Sequence, residues 1–337
     1  MSSGGPTAEQ APARTGGAKR TQLAVAGVLA LLALFPLAGA TFYTELVTKV
    51  MILAIFALSL DLLVGYTGLV SFGHAAFFGV GAYTLGLLTP KYEAASFWLT
   101  LPLALAASGA AAVAVGAFVV RARGIYFIMV TLAFAQMFYF VFHDTRLGGG
   151  SDGIGMNFRP VATIAGFTPF DLGSSNQLYY LVLAALLLVF VFLRRLLRSA
   201  FGRALQGIRS NEQRMRSLGF PVYRYKLASF GIAGALAGLA GYLSALQFGF
   251  VNPELLSWHQ SGNVLLMVIL GGVGTLYGAV AGAFAFVALQ EIFSSVTTHW
   301  QLLLGGAIIL LVIFLPGGLS SVLRRFERDL VGEPGDD

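Results

Sequence analysis

The chain has 337 residues, of which 57% are hydrophobic and 11% charged, whereas soluble globular proteins average about 25% charged residues. A soluble core cannot hide this much apolar surface, so the composition predicts a membrane protein, and the absence of cysteine excludes disulfides, thiolate metal sites and a cysteine nucleophile. The net charge of +6 comes from basic residues that gather in a few segments between apolar runs, a distribution typical of membrane topology rather than of nucleic-acid binding.

Residues 1–21 are predicted to form a disordered cytoplasmic leader, because residues 1–17 are rich in Ala, Gly, Ser, Thr and Pro and lack apolar periodicity. The first apolar run, 22–39, follows Lys19 and Arg20 and ends in small residues that also fit a signal-peptide cleavage site. The sequence leaves open whether this run is cleaved or retained as a first helix.

Apolar runs of about 20 residues, the length of a helix that crosses a bilayer, recur along the chain. We predict an all-α membrane protein, a polytopic bundle of about ten transmembrane helices in a domain of residues 22–317, followed by a cytoplasmic tail at 318–337. The predicted spans are 22–39, 45–66, 72–88, 97–120, 124–142, 178–192, 227–247, 262–274, 276–292 and 301–314.

The basic residues indicate the orientation of these spans. With the N-terminus inside, 17 of the 21 Lys and Arg face the cytoplasm, and the others lie at or beyond the outer face: Lys49, Lys91, Arg146 and Arg159. Because positive charge is retained on the cytoplasmic side, this arrangement predicts a multi-pass protein of the bacterial inner membrane with both termini in the cytoplasm.

Two glycine-rich stretches, 65–74 and 271–275, are expected to break helices within the membrane, where irregular backbone must be buried or line a cavity. Spans two to five and seven to ten can also form an inverted repeat. Other glycines recur at every fourth position and predict close helix packing. These packing residues are Gly234, Gly238, Gly274, Gly278 and Gly282.

The longest interior loop, 194–226, contains nine basic residues and a single acid, Glu212. Residues 201–220 within it predict a short amphipathic helix stopped by Gly219 and Pro221. The loop either lies against anionic lipid headgroups or docks on a partner protein. In the second case its apolar side chains insert into a cleft of the partner: Leu205, Ile208, Met215 and Leu218.

The sequence contains no phosphate-binding loop and no soluble segment long enough for a nucleotide-binding domain. If ATP drives this protein, another chain must hydrolyse it. No pair of catalytic side chains lies at membrane depth in the predicted spans, so the sequence does not suggest an enzyme.

Four sequence blocks resemble the permease subunits of branched-chain amino acid ABC importers, over residues 47–316. They are ALQGIRSNE at 204–212 with Leu218 and Gly219, ALSLDLLVGYTG at 57–68 with SFGHAAFFGVGAY at 71–83, RGIYF at 123–127 with VTLAF at 130–134, and MVILGGVGTLYG at 267–278. Within that family the chain looks like the member of the permease pair with the longer N-terminal extension and the Ser-Asp-Gly segment at 151–153.

The resemblance implies a second permease, two cytoplasmic ATP-binding subunits, an extracytoplasmic binding protein and an amino-acid substrate. It implies no cofactor on this chain, because the partner subunits bind the ATP. It also implies that residues of the 194–226 loop contact the ATPase. These coupling residues are Ala204, Gly207, Arg209, Asn211, Glu212, Leu218 and Gly219.

The substrate path is expected near the first glycine break. Asp61 either meets the substrate ammonium or accepts hydrogen bonds from the amides of residues 65–68, and His74 is expected to cap the break without binding metal. Outside, residues 148–155 form either an anion-binding nest or a plain connection. The candidate path residues are Asp61, Gly65, Tyr66, Gly68, Ser71, Gly73, His74, Ser151 and Asp152.

Two transporter alternatives remain at this point. A permease for ribose-like sugars is compatible with the same loop and glycine blocks. An ion-coupled secondary transporter is less compatible, because such proteins usually place acids deep in several spans and here only Asp61 lies so. The sequence does not distinguish leucine, isoleucine and valine from urea or a related amide as the substrate.

Overall fold

The computed structural model describes residues 32–38, 41–90, 92–156, 158–163, 171–315 and 317–321. The long helices in these residues are α1 (Thr41–Asp61), α2 (His74–Leu88), α3 (Phe97–Val119), α4 (Ile125–Asp144), α5 (Ser175–Arg198), α8 (Val222–Phe248), α9 (Trp258–Gly271), α10 (Leu276–Val296) and α11 (Trp300–Phe314). Two short helices, α6 (Ala200–Ser210) and α7 (Glu212–Ser217), connect α5 to α8. A π-helical turn, Leu62–Thr67, extends α1.

The all-α membrane class is confirmed, but the count of about ten spans is not. Among the described residues, six helices are long and apolar enough to cross a bilayer: Thr41–Thr67, α3, α4, α5, α8 and α10. Helices α2 and α11 are apolar but have only 15 residues, and α9 has 14, so each is shorter than the roughly 20 residues of a complete crossing. Most of the first predicted span, the leader and most of the tail lie outside the described residues.

Two helices form the centre of the bundle. Within an apolar stretch of 18 residues, 89% of the residues of Thr41–Thr67 are buried, and 72% of those of α8. The corresponding share in α3, α4, α5 and α10 is between 17% and 33%. The outer helices therefore present most of their apolar side chains to lipid or to a partner chain.

The contacts around the two central helices follow one pattern. Helix α8 packs against α2 and α3, and α1 packs in the same way against α9 and α10. The pairs α2–α3 and α9–α10 are also neighbours, and α1 contacts α8. Each central helix thus packs against the two helices that follow the other central helix in the chain. This symmetry supports the inverted-repeat hypothesis.

The packing glycines act where these helices meet. A Cβ on Gly234 or Gly238 would clash with side chains of α3, and a Cβ on Gly282 would clash with the backbone of α9. A Cβ on Gly278 would likewise clash with the Thr275 side chain and the Gly271 backbone. The prediction of close packing thus describes these four glycines, whereas Gly274 lies in the turn between α9 and α10 with a φ of +83°.

The bundle has two distinct ends. Helices α6 and α7 lie across one end, termed the basic end because residues 194–226 carry the cluster of Lys and Arg. The opposite end carries a small antiparallel pair of strands, β1 (Ile154–Gly155) and β2 (Phe250–Val251), with Ile154 opposite Val251. Helix α4 runs from the basic end to the opposite end, about 30 Å for its 20 residues.

Candidate coupling site and translocation path

The connection across the basic end consists of two helices, whereas the sequence predicted one. Helix α6 ends at Ser210, and Asn211 adopts an extended conformation with a φ of −156°. Its side-chain oxygen accepts a hydrogen bond from the amide of Arg214 at 2.9 Å, which caps the start of α7. A residue with strong N-cap preference therefore divides a segment whose periodicity alone suggests a continuous helix.

The apolar face of α6 is covered by this chain itself. Leu205 is fully buried and Ile208 is 3% exposed, so the prediction that these two side chains insert into a partner is wrong. Met215 is half-buried against Gly207, whereas Leu218 after α7 is 67% exposed. The apolar surface that the α6–α7 segment offers to a partner therefore centres on Leu218 and the adjoining Phe220.

Glu212 joins three segments at the basic end. One carboxylate oxygen lies 3.2 Å from Arg123, which precedes α4, and 2.5 Å from Arg216 on α7; the other lies 2.8 Å from Lys226 on α8. Partial burial favours a raised pKa for Glu212, but the hydrogen bond from Lys226 and the three positive charges outweigh it and lower the pKa below its ordinary value. The ion pairs therefore fix α7 to the starts of α4 and α8.

Arg209 makes the second connection between α6 and the membrane helices. Its guanidinium donates a hydrogen bond to the carbonyl oxygen of Gly65, in the π-helical turn that extends α1. A Cβ on Gly68 would lie 3.2 Å from the Arg209 side chain, so the chain after this turn also touches Arg209. The side chain thus joins the surface helix to the first glycine break.

The same turn contacts the second glycine break. Asp61 is fully buried, and its Oδ1 accepts a hydrogen bond from the amide of Gly274 at 2.8 Å. The prediction that Asp61 binds the amides of residues 65–68 therefore had the wrong partner. Its Oδ2 has no hydrogen-bond partner among the described residues.

Both breaks and α6 together surround an open cavity of about 440 Å³ at the basic end. Its walls are built from the π-helical turn, the second break and the last turns of α6. The lining residues are Gly65, Tyr66, Gln206, Arg209, Ser210 and Gly274. The predicted path residues Gly65 and Tyr66 thus lie beside the predicted coupling residue Arg209.

Hydroxyl side chains satisfy the irregular backbone between α1 and α2. The amide of Phe72 donates to Thr131 Oγ1 at 3.2 Å, the amide of Gly73 donates to Ser71 Oγ at 3.2 Å, and the amide of Ala75 donates to Ser261 Oγ at 2.9 Å. Ser261 on α9 thereby caps the start of α2. Sequence reasoning missed Thr131 and Ser261, although isolated hydroxyls within apolar spans are a signal for freed backbone groups.

His74 has a different place from the one predicted. It begins α2 but makes no cap hydrogen bond; its Nε2 lies 2.8 Å from Ser59 Oγ, and its ring stacks on Phe56. Among the described residues no group of three or more His, Asp or Glu side chains lies close enough to hold a metal ion.

The predicted path residues fall into two separate groups. Asp61, Gly65 and Gly68 contact the second break or α6 at the basic end, and Ser71, Gly73 and His74 continue from them into the bundle. Ser151 and Asp152 lie beyond the far end of α4 and are exposed, with Ser151 donating a hydrogen bond to Asp152 at 3.2 Å. The structure therefore does not bring these two residues to the glycine breaks.

The profile of the family described as branched-chain amino acid transport system, permease component, matches residues 42–313. The chain is 34% identical over 332 residues to the high-affinity branched-chain amino acid transport system permease protein LivM of Escherichia coli strain K12, a match that covers 93% of this chain and 78% of that protein. The LivM protein of Salmonella typhimurium strain LT2 matches to the same extent.

Similarity to permeases named for other substrates is only partial. The xylose transport system permease protein XylH of Escherichia coli strain K12 is 35% identical over 152 residues, which cover 43% of this chain and 37% of that protein. No solved structure matches the chain.

Proposed function

The chain belongs to the branched-chain amino acid transport system permease family, and on this premise we propose that it forms half of the translocation path of an ATP-driven importer for branched-chain or related amino acids. A second permease completes the path, two cytoplasmic subunits hydrolyse ATP, and an extracytoplasmic binding protein delivers the substrate. The observation that carries this proposal is the contact of Arg209 on α6 with Gly65 at the first helix break.

The basic end faces the cytoplasm in this proposal. The nine Lys and Arg of residues 194–226 lie there, and cytoplasmic segments of membrane proteins carry an excess of such residues. Ser151, Asp152 and the β1–β2 pair then face outward, and both termini lie in the cytoplasm. The ATPases therefore dock beneath α6 and α7.

Docking and transmission use different residues of this segment. Asn211, Leu218 and Gly219 are exposed and form the surface that the ATPase contacts. Ala204 is buried, and Gly207 packs against Met215 of α7, so the small residue at 207 allows α6 and α7 to lie close together. Movement of the ATPase then reaches the membrane helices through the Glu212 ion pairs and the Arg209 hydrogen bond.

The helix breaks are the parts of the membrane domain that this movement changes. Arg209 binds the carbonyl of Gly65, and Asp61 beside it binds the amide of Gly274, so a shift of α6 acts on both breaks at once. Irregular backbone at these positions offers carbonyl and amide dipoles to a zwitterionic substrate. Alternating access follows if the two breaks rearrange together.

Copurification tests the proposed assembly. The tagged protein, expressed with the other genes of its transport system and solubilised in detergent, is expected to carry a second permease and ATPase subunits. ATP hydrolysis by the reconstituted complex is expected to rise when amino-acid-loaded binding protein is added. A chain that purifies alone and takes up substrate in response to a proton or sodium gradient would contradict the proposal.

A further inference from the structure

A second cavity lies in the half of the bundle away from the basic end. It has a volume of about 200 Å³ and is enclosed by α1, α2, α8, α9 and α10. Its polar lining comes from the ends of helices at the opposite face, including Lys49 on α1, Gln247 on α8, and Gln260 and Asn263 on α9. None of these residues belongs to the coupling site or to the helix breaks.

Lys49 is an unusual residue at this position. It lies eight residues into α1, about 12 Å along the helix and near the outer boundary of the span, where a cation beside apolar helices needs water, a lipid headgroup or an anionic partner. No acidic side chain of the described residues forms a salt bridge with it. Glu45, one turn earlier, instead accepts a hydrogen bond from Ser175 at 3.2 Å. The ammonium of Lys49 is therefore available to an anionic group in the cavity.

Gln247 lines the same cavity and carries an unpaired acceptor. Its Nε2 donates to the backbone carbonyl of Glu45 at 2.8 Å, which fixes the orientation of the amide. The other amide atom, Oε1, is buried without a hydrogen-bond partner among the described residues. Because an unpaired buried acceptor is costly, this atom indicates a donor that the described residues do not provide.

Most of the remaining wall is apolar, with Ser244 and Gln290 as its other polar residues. Phe78 on α2, Met267 on α9 and Phe286 on α10 line the cavity together with Ile52 and Leu53 of α1. The volume is below the range of roughly 300–1,000 Å³ that is common for drug-sized ligands, so the cavity suits a smaller molecule. A ligand with one anionic group, one donor group and a short apolar side chain matches all three parts of the lining.

We propose that this cavity binds an amino-acid zwitterion within the single permease chain, with the carboxylate at Lys49, the ammonium at Gln247 Oε1 and the apolar side chain against Phe78, Met267 and Phe286. This site rests on the proposed function, which supplies the substrate class and places the cavity on the side where the binding protein delivers. Phe78 packs against Phe56, which stacks on His74 at the start of α2, so the site adjoins the first helix break.

Binding of radiolabelled leucine to the complete transporter in nanodiscs, without binding protein, tests the site. Wild type is expected to bind leucine saturably, and both the amine that lacks the carboxylate and the acid that lacks the amino group are expected to compete poorly. Lys49→Met is expected to weaken binding by roughly tenfold or more, because a charge-assisted contact is lost, whereas Lys49→Arg retains most of it. Gln247→Leu, at the proposed partner of the ammonium, is expected to weaken binding as well.

Two measurements separate this site from the proposed function. Arg146→Met, an exposed cation at the same end of the bundle, is the matched control and is expected to bind leucine like wild type. Stimulation of wild-type ATP hydrolysis by loaded binding protein tests the proposed function alone, and copurification of Lys49→Met with its partner subunits shows that the variant folds and assembles.

Three results would overturn the inference. Equal leucine binding by wild type, Lys49→Met and Gln247→Leu would remove the site while leaving the proposed function intact. Lys49-dependent retention of an anionic phospholipid that leucine does not displace, seen by mass spectrometry of the nanodisc complex, would assign the cavity to lipid. If amino-acid-loaded binding protein fails to increase ATP hydrolysis by wild type, the proposed function fails and this site fails with it.

Discussion

Glu212 is the residue whose environment differs most from what its sequence position suggests. As the single acid among nine bases it is easily noticed in the sequence, but two of its partners are not local: Arg123 lies 89 positions earlier and Lys226 lies 14 positions later. Of the three ion pairs, only the one with Arg216, four positions later on the same helix, follows from local spacing. The sequence thus indicated the residue and left most of its role to the tertiary fold.

The lowered pKa of Glu212 predicts a pH dependence of stability. A carboxylate whose pKa is lower in the folded state stabilises that state at pH values above its ordinary pKa of 4.5, and this contribution is lost as the pH falls below 4.5 toward the folded value. Glu212→Gln is expected to lower the melting temperature at pH 7 and to flatten its decline below pH 4.5. Thermal unfolding in detergent from pH 7 to acid conditions measures this.

The matched control for Glu212 is Glu291→Gln, which changes an exposed acid that forms no salt bridge among the described residues. It is expected to leave the melting temperature and its pH profile unchanged. Identical profiles for the two variants would show that the Glu212 ion pairs do not stabilise the fold.

The second prediction concerns the hydrogen bond between Arg209 and Gly65. Arg209→Ala removes a charge-assisted hydrogen bond to Gly65, and such bonds contribute about 1.5–3 kcal/mol. We expect ATP-driven uptake by the reconstituted complex to fall by roughly tenfold or more, while the complex still assembles and hydrolyses ATP. Arg214→Ala, at an exposed position on α7, is the control and is expected to transport normally. Full uptake by Arg209→Ala would exclude this residue as a mechanical link.

Among the secondary-structure elements, the short helices α2 and α9 explain why the span count was not confirmed. Glycine at 65, 68 and 73 indicated a break before α2, and that break is present. The sequence did not indicate that Thr131 and Ser261, from α4 and α9, would satisfy its amides, because those contacts join residues 59 and 186 positions apart. A 3₁₀ turn, Pro253–Leu256, likewise precedes α9.

The contact between the two breaks leads to the third prediction. A Cβ on Gly65 would clash with the Asp61 carboxylate and would lie 2.6 Å from the backbone of Gly274, so Gly65→Ala must separate the breaks. Overpacking of this kind costs about 1–3 kcal/mol, and we expect a lower melting temperature together with loss of uptake. Gly262→Ala in α9, where a Cβ has no neighbour within 4 Å among the described residues, is the control and is expected to be neutral. Normal stability and uptake in Gly65→Ala would show that the close approach is not required.

At the scale of the whole molecule, composition and apolar runs predicted an all-α membrane bundle, because a chain with 57% hydrophobic residues needs lipid around it. The positions of the individual helices in the bundle could not be predicted from the sequence. That α1 and α8 are central follows from contacts between the two halves, and the apolar runs of outer helices such as α4 look the same in sequence as those of central ones. The separation of Ser151 and Asp152 from the glycine breaks is likewise a property of the assembled bundle.

The orientation of the bundle is open to a direct test, because the chain has no cysteine. Single cysteines introduced as Ser151→Cys and Ser217→Cys lie at exposed positions near opposite ends. A membrane-impermeant maleimide added to spheroplasts is expected to label the first at once and the second only after the membrane is permeabilised. The reverse order of labelling would place the basic end outside and contradict ATPase docking there.

ATP-driven uptake distinguishes an ATP-dependent importer from a gradient-driven transporter. The protein is reconstituted in liposomes with its partner permease and ATPases, and radiolabelled leucine is supplied on loaded binding protein at the outer face. We predict that leucine accumulates inside only when hydrolysable ATP is enclosed, and that Arg209→Ala lowers accumulation by roughly tenfold or more without abolishing hydrolysis. Accumulation that needs no ATP and follows a proton or sodium gradient would contradict the account.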